Sequence, residues 1–155
     1  DHSEEEGTVG FILNKMLDMT IDSLVVDFPE FDSPVFYGGP VATDTIHYIH
    51  NVGELLENST KVLDGIYWGG DFEKLKFLIK SELIKPKNIR FFVGYSGWSE
   101  GQLKEEMDVG TWVTANMDAN YLFRSDAAEL WRIIMGNKGN NYGVISEIPD
   151  FSFLN

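Results

Sequence analysis

Cysteine is absent from this chain of 155 residues. Its absence excludes disulfides, zinc–thiolate sites, iron–sulfur clusters and thiol nucleophiles. Basic charge is also scarce, because 12 Lys and Arg stand against 25 Asp and Glu and give a net charge of −13. Proteins bind a phosphate backbone through clustered Lys and Arg, so the sequence argues against direct binding of nucleic acid. We interpret the one basic cluster as a solvated helix face; it comprises Lys74, Lys76, Lys80, Lys85, Lys87 and Arg90.

Long hydrophobic runs are also missing. No apolar stretch approaches the roughly 20 residues that a membrane-spanning helix needs, and the polar residues 1–6 do not resemble a signal peptide. We therefore expect a soluble, cytoplasmic protein without a membrane partner. The chain also lacks Walker A and dinucleotide-binding glycine patterns, and we predict no cofactor. Because the sequence does not begin with Met, we expect that the full-length protein has a further strand upstream.

Apolar residues make up 43% of the chain and aromatic residues 14%. This content is sufficient for one core, and we expect a single domain over residues 1–155. Interleaved strands and helices, some joined by connections too short for a crossover helix, predict an α+β fold with a mixed, partly barrel-like β-sheet and flanking helices. The predicted strands are Thr8–Leu13, Val35–Tyr37, Ile46–His50, Lys61–Trp68, Ile89–Val93 and Thr111–Ala115, with an extended segment at Ile148–Leu154.

Capping signals predict four helices. After Asp71, apolar residues recur at spacings of three and four and form one stripe. Two capping boxes, Ser99-x-x-Gln102 and Asp126-x-x-Glu129, open two of the other helices. The predicted helices are Thr20–Val25 with Thr20 as N-cap, a helix from Phe72 through Leu75, Leu78, Ile79 and Leu83 that ends before Pro86, Glu100–Met107, and a helix after Asp126 that Gly136 ends.

Ser96 is the candidate for a catalytic nucleophile, because a predicted strand, a turn with glycine and a helix follow one another around it. The nucleophile-elbow pattern needs Gly two residues after the Ser, and this chain has Trp98 there. That fold also places a His after the Ser, whereas all three histidines come before it. We favour an ordinary turn hydroxyl and assign no catalytic residue. A small hydrolase or transferase using Ser96 with Glu105 stays the alternative, since other folds use other orders.

His47 and His50 have the spacing of a candidate metal pair. On a strand, side chains three positions apart point to opposite faces and cannot share one ion. The aromatic and β-branched neighbours favour a strand here, so we predict no metal site.

Three aromatic strands each run directly into glycine: Val35–Gly39, Ile66–Gly70 and Phe91–Tyr95. If these strand ends lie side by side, they form a concave surface with exposed backbone, where pockets often arise. The other interpretation, which is the more economical, is that the glycines only turn the chain around a tight barrel.

At these segments the sequence resembles the AlgH/YqgE family, small bacterial proteins of which many carry the label of transcriptional regulator. The motifs that carry the resemblance cover most of the chain: Gly10-Phe11-Ile12-Leu13-Asn14-Lys15, Gly38-Gly39-Pro40-Val41 with His50 nine residues on, Gly94-Tyr95-Ser96-Gly97-Trp98, and Gly101-Gln102-Leu103 with Glu105. One departure is Lys104, where the family often has an acidic residue. The resemblance implies an α+β fold with a mixed, barrel-like sheet, and it implies no activity, cofactor or catalytic set.

These observations favour a protein that is not an enzyme. We interpret it as a binding or regulatory module that engages a protein partner or a small ligand rather than DNA. The residues predicted to form its surface come from the glycine-flanked turns and the family motifs: Gly38, Gly39, Pro40, His50, Gly94, Tyr95, Ser96, Gly97, Trp98 and Gln102.

Overall fold

The computed structural model of the protein describes residues 2–3, 7–123 and 126–139. Within these ranges it has eight strands, five α-helices and one 3-10 turn at Pro86–Asn88. The strands are β1 (His2–Ser3), β2 (Gly7–Gly10), β3 (Met16–Thr20), β4 (Pro34–Tyr37), β5 (Val41–His50), β6 (Thr60–Leu63), β7 (Ile66–Trp68) and β8 (Ile89–Trp98). The helices are α1 (Ile21–Leu24), α2 (Phe72–Lys80), α3 (Gln102–Asp108), α4 (Ala119–Phe123) and α5 (Leu130–Lys138).

β8 organises the sheet. The main strand order is β1-β2-β8-β5-β7-β6. One edge of β8 pairs first with β4 in parallel and then with β2 antiparallel, while its other edge pairs with β5 antiparallel. β3 adds to the outside of β4. The predicted α+β class and mixed sheet are confirmed, and the sheet is not closed into a barrel.

Side chains that alternate along β8 divide the core between the two faces of the sheet. Ile89 and Phe91 belong to the larger cluster, which α2 covers with Leu75, Leu78 and Ile79. Phe92 points to the other face and packs in a smaller cluster with Phe36, Ile49, Ile66, Leu122 and Ala127. Of the described residues outside the sheet, this second face receives the short helix α4 and the residues around Ala127, and these cover it less completely than α2 covers the first face.

The helix after Asp71 is confirmed. The Asp71 carboxylate accepts a hydrogen bond from the backbone N–H of Lys74 at 2.8 Å, which satisfies a free donor of the first turn. The helix ends at Lys80, and Leu83 is 56% exposed rather than part of the buried stripe. Thr20 is the N-cap of α1, as predicted. No helix among the described residues is long and apolar enough to cross a membrane.

Two predicted strands differ from the structure. The predicted strand Lys61–Trp68 is a hairpin, because Asp64-Gly65 makes a turn in which Gly65 has a φ of +71°. The predicted strand Ile89–Val93 continues to Trp98. Gly94 adopts a φ of +65° inside β8, and glycine can take that conformation without breaking the pairing on either side.

Near the C-terminus the predictions hold less well. Thr111–Ala115 is not a strand, because this segment folds back on α3, where the N–H of Thr111 bonds the carbonyl of Glu106 at 3.0 Å. α3 begins at Gln102, two residues later than predicted. α5 continues past Gly136 and is capped at Gly139, which has a φ of +114°. The predicted extended segment Ile148–Leu154 lies outside the described residues.

Gly38→Ala is expected to lower the free energy of unfolding by about 1–3 kcal/mol. A Cβ at this position would lie 2.3 Å from the carbonyl oxygen of Gly94, and backbone cannot move aside cheaply. Urea denaturation measures the change. Gly136→Ala is the control, since it lies in a helix with open space around it and should gain about 0.5–1 kcal/mol. Equal stability of Gly38→Ala and wild type would contradict the packing described here.

Candidate functional site

Two of the glycine segments meet where β4 ends and β8 bends. The N–H of Gly38 bonds the carbonyl of Val93 at 2.8 Å, and a Cβ on Gly39 would lie 2.2 Å from the carbonyl carbon of Tyr95. Gly38, Gly39 and Gly94 are all buried. The turns therefore converge as a closely packed backbone joint, which we call the glycine joint (Gly38, Gly39 and Gly94). Backbone fills the space between them, and a direct ligand contact by these glycines stays a prediction.

Ser96 lies beside the glycine joint, in the part of β8 that pairs with β2. Its hydroxyl donates to the carbonyl of Gly38 at 3.4 Å. No His, Asp or Glu side chain of the described residues is hydrogen-bonded to this hydroxyl. The geometry supplies a donor that ties two strands together, and it supplies no base for a serine nucleophile.

Trp98 and Gln102 belong to a second group, which is assembled around Glu106. Both indole N–H groups of Trp98 and Trp112 donate to Glu106 Oε2, at 3.2 and 2.8 Å, and the side-chain amide of Gln102 donates to Oε1 at 2.9 Å. We call these four residues the indole clamp. The hydrogen bonds from Gln102 and then Trp112 lower the pKa of Glu106. The clamp holds the irregular segment 111–118 against β8 and α3.

Glu106 and Trp112 were not among the predicted site residues. The predicted acidic partner was the neighbouring Glu105, although Gln102 and Glu106 are separated by four positions and therefore share one helix face. That spacing was the available signal. Gln102 does make half of the predicted capping box, because its side-chain oxygen accepts the N–H of Ser99 at 2.9 Å.

His50 lies apart from both groups, at the far end of β5. It is fully buried, its Nδ1 accepts the N–H of Val52 at 3.3 Å, and Nε2 lies 2.9 Å from the carbonyl of Gly69 and 3.1 Å from Ser59 Oγ. The neutral ring therefore carries its proton on Nε2, and it stacks on Tyr67 with centroids 5.8 Å apart. Burial lowers the pKa of His50, against the opposing effect of the hydrogen bond to Gly69.

The Gly69–Gly70 turn therefore contacts His50 and is not part of the glycine joint. Tyr48 reinforces it, because its hydroxyl donates to the carbonyl of Gly70 at 2.7 Å, and burial raises the pKa of Tyr48 to about 12. His47 points to the opposite face and contacts Phe11 and Tyr95, which confirms the predicted separation of the two histidines. Among the described residues, no three His, Asp or Glu side chains are grouped to hold a metal ion.

An apolar cleft of about 180 Å³ opens on the less covered face of the sheet. Among the residues that the structure describes, no ionisable side chain lines it. The lining residues come from four segments, namely β2 with the motif after it, β5, the β6–β7 hairpin, and α4 with the residues before it: Val9, Gly10, Phe11, Leu13, Ile49, Val62, Leu63, Ile66, Trp68, Met117 and Leu122. We refer to this feature as the apolar cleft.

Phe11 is the central wall of the apolar cleft. Its ring packs on Phe92 at 4.9 Å and edge-on to Trp68 at 6.0 Å between centroids. The Cα of Gly38 lies beneath this ring, since a Cβ there would be 3.0 Å from Phe11 Cδ1. On the other side, a Cβ on Gly10 would be 3.0 Å from the indole of Trp98. The glycine joint and Trp98 do not line the cleft, but they hold its central wall, Phe11, in position.

Arg90 fixes the neighbouring wall. Its guanidinium donates to the carbonyl of Leu13 at 3.0 Å and lies over the Phe36 ring, 4.4 Å from the centroid. Burial lowers the pKa of Arg90 to about 10, which leaves it cationic at neutral pH. Arg90 was counted with the basic cluster in the sequence, but here it is an internal support rather than part of a solvated helix face.

Comparison with known proteins adds a family and a fold. A family model described as AlgH-like matches residues 1–143. A UPF0301 protein of Chlorobaculum parvum is 38% identical over 151 residues, which cover 97% of this chain and 81% of that protein. Another, from Chlorobium luteolum, is 39% identical over 150 residues, covering 97% and 79%.

Two solved structures share the fold. The solution structure of the AlgH protein from Pseudomonas aeruginosa superimposes with a TM-score of 0.73 at 23% identity and covers 98% of this chain and 82% of that one. The crystal structure of protein DIP2367 from Corynebacterium diphtheriae gives 0.75 at 20% identity, covering 96% and 79%. At these identities the likeness extends to the fold alone.

Acidification is expected to destabilise the protein through His50. Because its pKa is below the usual 6.5 in the folded state, the unfolded chain binds more protons at acid pH. The free energy of unfolding should therefore be highest above pH 6.5 and fall as the pH drops from there toward the folded pKa. Urea denaturation at several pH values should show a shallower decline for His50→Gln than for wild type. Identical slopes would rule out this role.

Glu106→Ala is expected to release the segment 111–118 from α3. Trp112 loses its carboxylate partner and becomes more exposed than its present 46%, so the tryptophan emission should shift to longer wavelength. Amide exchange across residues 111–118 should also accelerate. Glu105→Ala is the matched control and should leave both measurements at wild-type values; an unshifted spectrum for Glu106→Ala would contradict the clamp.

Proposed function

We propose that this protein, which belongs to the AlgH-like family, is a non-enzymatic binding module. The geometry of its surface supports the apolar cleft as the binding site. The observation that carries this proposal is an opening of about 180 Å³ lined by apolar side chains beside the family motif Gly10–Lys15. Burying apolar surface there supplies binding free energy without any chemical step.

The lining argues for binding over catalysis. General acid–base or nucleophilic chemistry needs ionisable side chains that converge on a reacting atom. Two ionisable groups that contact lining residues of the cleft have structural roles, since Arg90 supports Leu13 and His47 packs on Phe11. Ser96 is tied to Gly38. The hydrolase or transferase alternative has no comparable geometric support.

The residues predicted from sequence take part indirectly in this proposal. Gly38 allows the Phe11 ring to pack closely, and Trp98 covers Gly10 from the outside. Pro40 and Gly97 are exposed near these elements and extend the surface around them. The binding role of the glycine-flanked residues is thus to shape and border the cleft, while the apolar side chains make the contact.

In this proposal a regulatory role follows from what the cleft binds and does not require contact with DNA. A net charge of −13 repels a phosphate backbone. Several lysines are already beside carboxylates, as in Lys76 with Glu73 at 2.7 Å and Lys74 with Glu57 at 3.7 Å. These charges support a module that acts through a protein partner or small ligand, and a cytoplasmic location is part of the same proposal.

Toluene is a suitable minimal probe, because an apolar cavity of about 150 Å³ accommodates one benzene ring. Titration followed by methyl NMR should give saturable shifts at Ile49 and Ile66, which line the cleft. Leu63→Arg puts a charge at its wall and should weaken binding at least about tenfold. Leu83→Arg makes the same change at a leucine outside the cleft lining and should bind as wild type does. Absence of saturable shifts in the wild type would refute the proposed function.

A further inference from the structure

β6 lies at an end of the sheet. Its four residues, Thr60–Leu63, are all exposed, and β7 is its neighbour on one side. No other described strand pairs with it, so within the described part of the chain its outer edge has no strand as a hydrogen-bonding partner. Such an edge is a template on which another strand can add.

Proteins often protect an edge with a projecting lysine. Here Lys61 is the lysine of the strand, and its Nζ lies 2.7 Å from Asp64 Oδ1 at the hairpin turn. The ion pair draws the ammonium toward the turn and offsets its charge. Both side chains are largely exposed, so the pair adds little stability. Its effect is that Lys61 projects less across the outer edge than a lysine without an acidic neighbour would.

The same strand forms a wall of the apolar cleft. Thr60 is paired with Trp68 and Leu63 with Ile66, and the register shifts between Lys61 and Leu63. Because of this bulge, the consecutive residues Val62 and Leu63 both line the cleft, although side chains on a regular strand alternate. Val62 is 39% exposed and Leu63 is 44% exposed, so the cleft opens along the free edge of the sheet.

The size of the cleft limits its occupant. Pockets for cofactors and drug-sized molecules have volumes of roughly 300–1,000 Å³. At about 180 Å³ the cleft is too small for that class and has room for one aromatic ring or one or two aliphatic side chains. An extended peptide suits a cleft of this size, because its backbone remains outside the cleft while alternate side chains insert into it.

Charge further specifies the peptide. The protein as a whole carries a net charge of −13. An acidic surface favours a partner with Lys or Arg beside the contact, and it disfavours an acidic partner. The attraction between such exposed charges weakens with salt.

We propose that β6 and the apolar cleft together bind an extended segment of a partner protein. This segment adds to the sheet as a strand beyond β6 and places apolar side chains from alternate positions in the cleft. It carries basic residues at its ends. This inference rests on the proposed function, because it names the occupant of the same cleft.

The probe is a capped peptide of alternating Val and Thr with a pair of Lys at each end. Fluorescence anisotropy of the labelled peptide should show binding that weakens as salt is added. The same peptide with methylated backbone nitrogens keeps every side chain but loses its donors, and it should bind at least about tenfold more weakly. Amide exchange of Lys61, Val62 and Leu63 should slow when the unmodified peptide binds.

Protein variants identify where the peptide binds. Leu63→Arg should weaken peptide binding at least about tenfold, while Leu83→Arg should retain it. Equal binding of the methylated peptide, or of Leu63→Arg, would overturn strand addition at β6. A concentration-dependent dimer that Leu63→Arg abolishes, with no binding of the peptide, would also overturn it by assigning the edge to a second copy of the chain.

The toluene titration separates this inference from the function on which it rests. If toluene binds the cleft and the peptide does not bind, strand addition is wrong and the apolar binding site stands. If neither binds, both proposals are wrong.

Discussion

The close approach of two backbones at the glycine joint is the constraint on which the rest of the structure depends. β8 must pass β4 on one edge and β5 on the other, and at Gly38, Gly39 and Gly94 a single added carbon would collide with backbone. The carbonyl of Gly38 also accepts the N–H of Ile12, which holds the segment that carries Phe11. Because Phe11 forms the central wall of the apolar cleft, the contact between these two backbones also determines the shape of the cleft.

Much of the fold could be predicted from local signals. Asp71 and the apolar stripe after it determine α2, and the aromatic β-branched runs determine the cores of β4, β5 and β8. These signals are strong because they depend on neighbours in the sequence. The family was predictable as well, because its motifs survive intact around the glycine joint and Trp98. The mixed character of the sheet followed from connections of unequal length.

What could not be predicted depends on partners distant in sequence or on interactions that compete with local preference. Thr111–Ala115 has the composition of a strand, yet the indole of Trp112 finds Glu106 and the segment stays on α3. Gly94 reads locally as a strand end, and only its pairing partners show that β8 continues. The apolar cleft combines residues from four separate segments, so no spacing pattern marks it. The one local signal in the sequence was the Asp64-Gly65 turn, which could have suggested the β6–β7 hairpin that lines the cleft.

The position of β8 in the chain has a consequence for synthesis. Its partners β2, β4 and β5 all precede it, and they leave the ribosome before the strand that unites them exists. At about 5–20 residues per second, several seconds pass between the emergence of β5 and that of β8. During this interval the aromatic strand Val35–Tyr37 can pair with β3, but its other edge lacks the partner that β8 later supplies. The excess of acidic residues then has a second use, because mutual repulsion keeps unfinished chains on neighbouring ribosomes from pairing with one another.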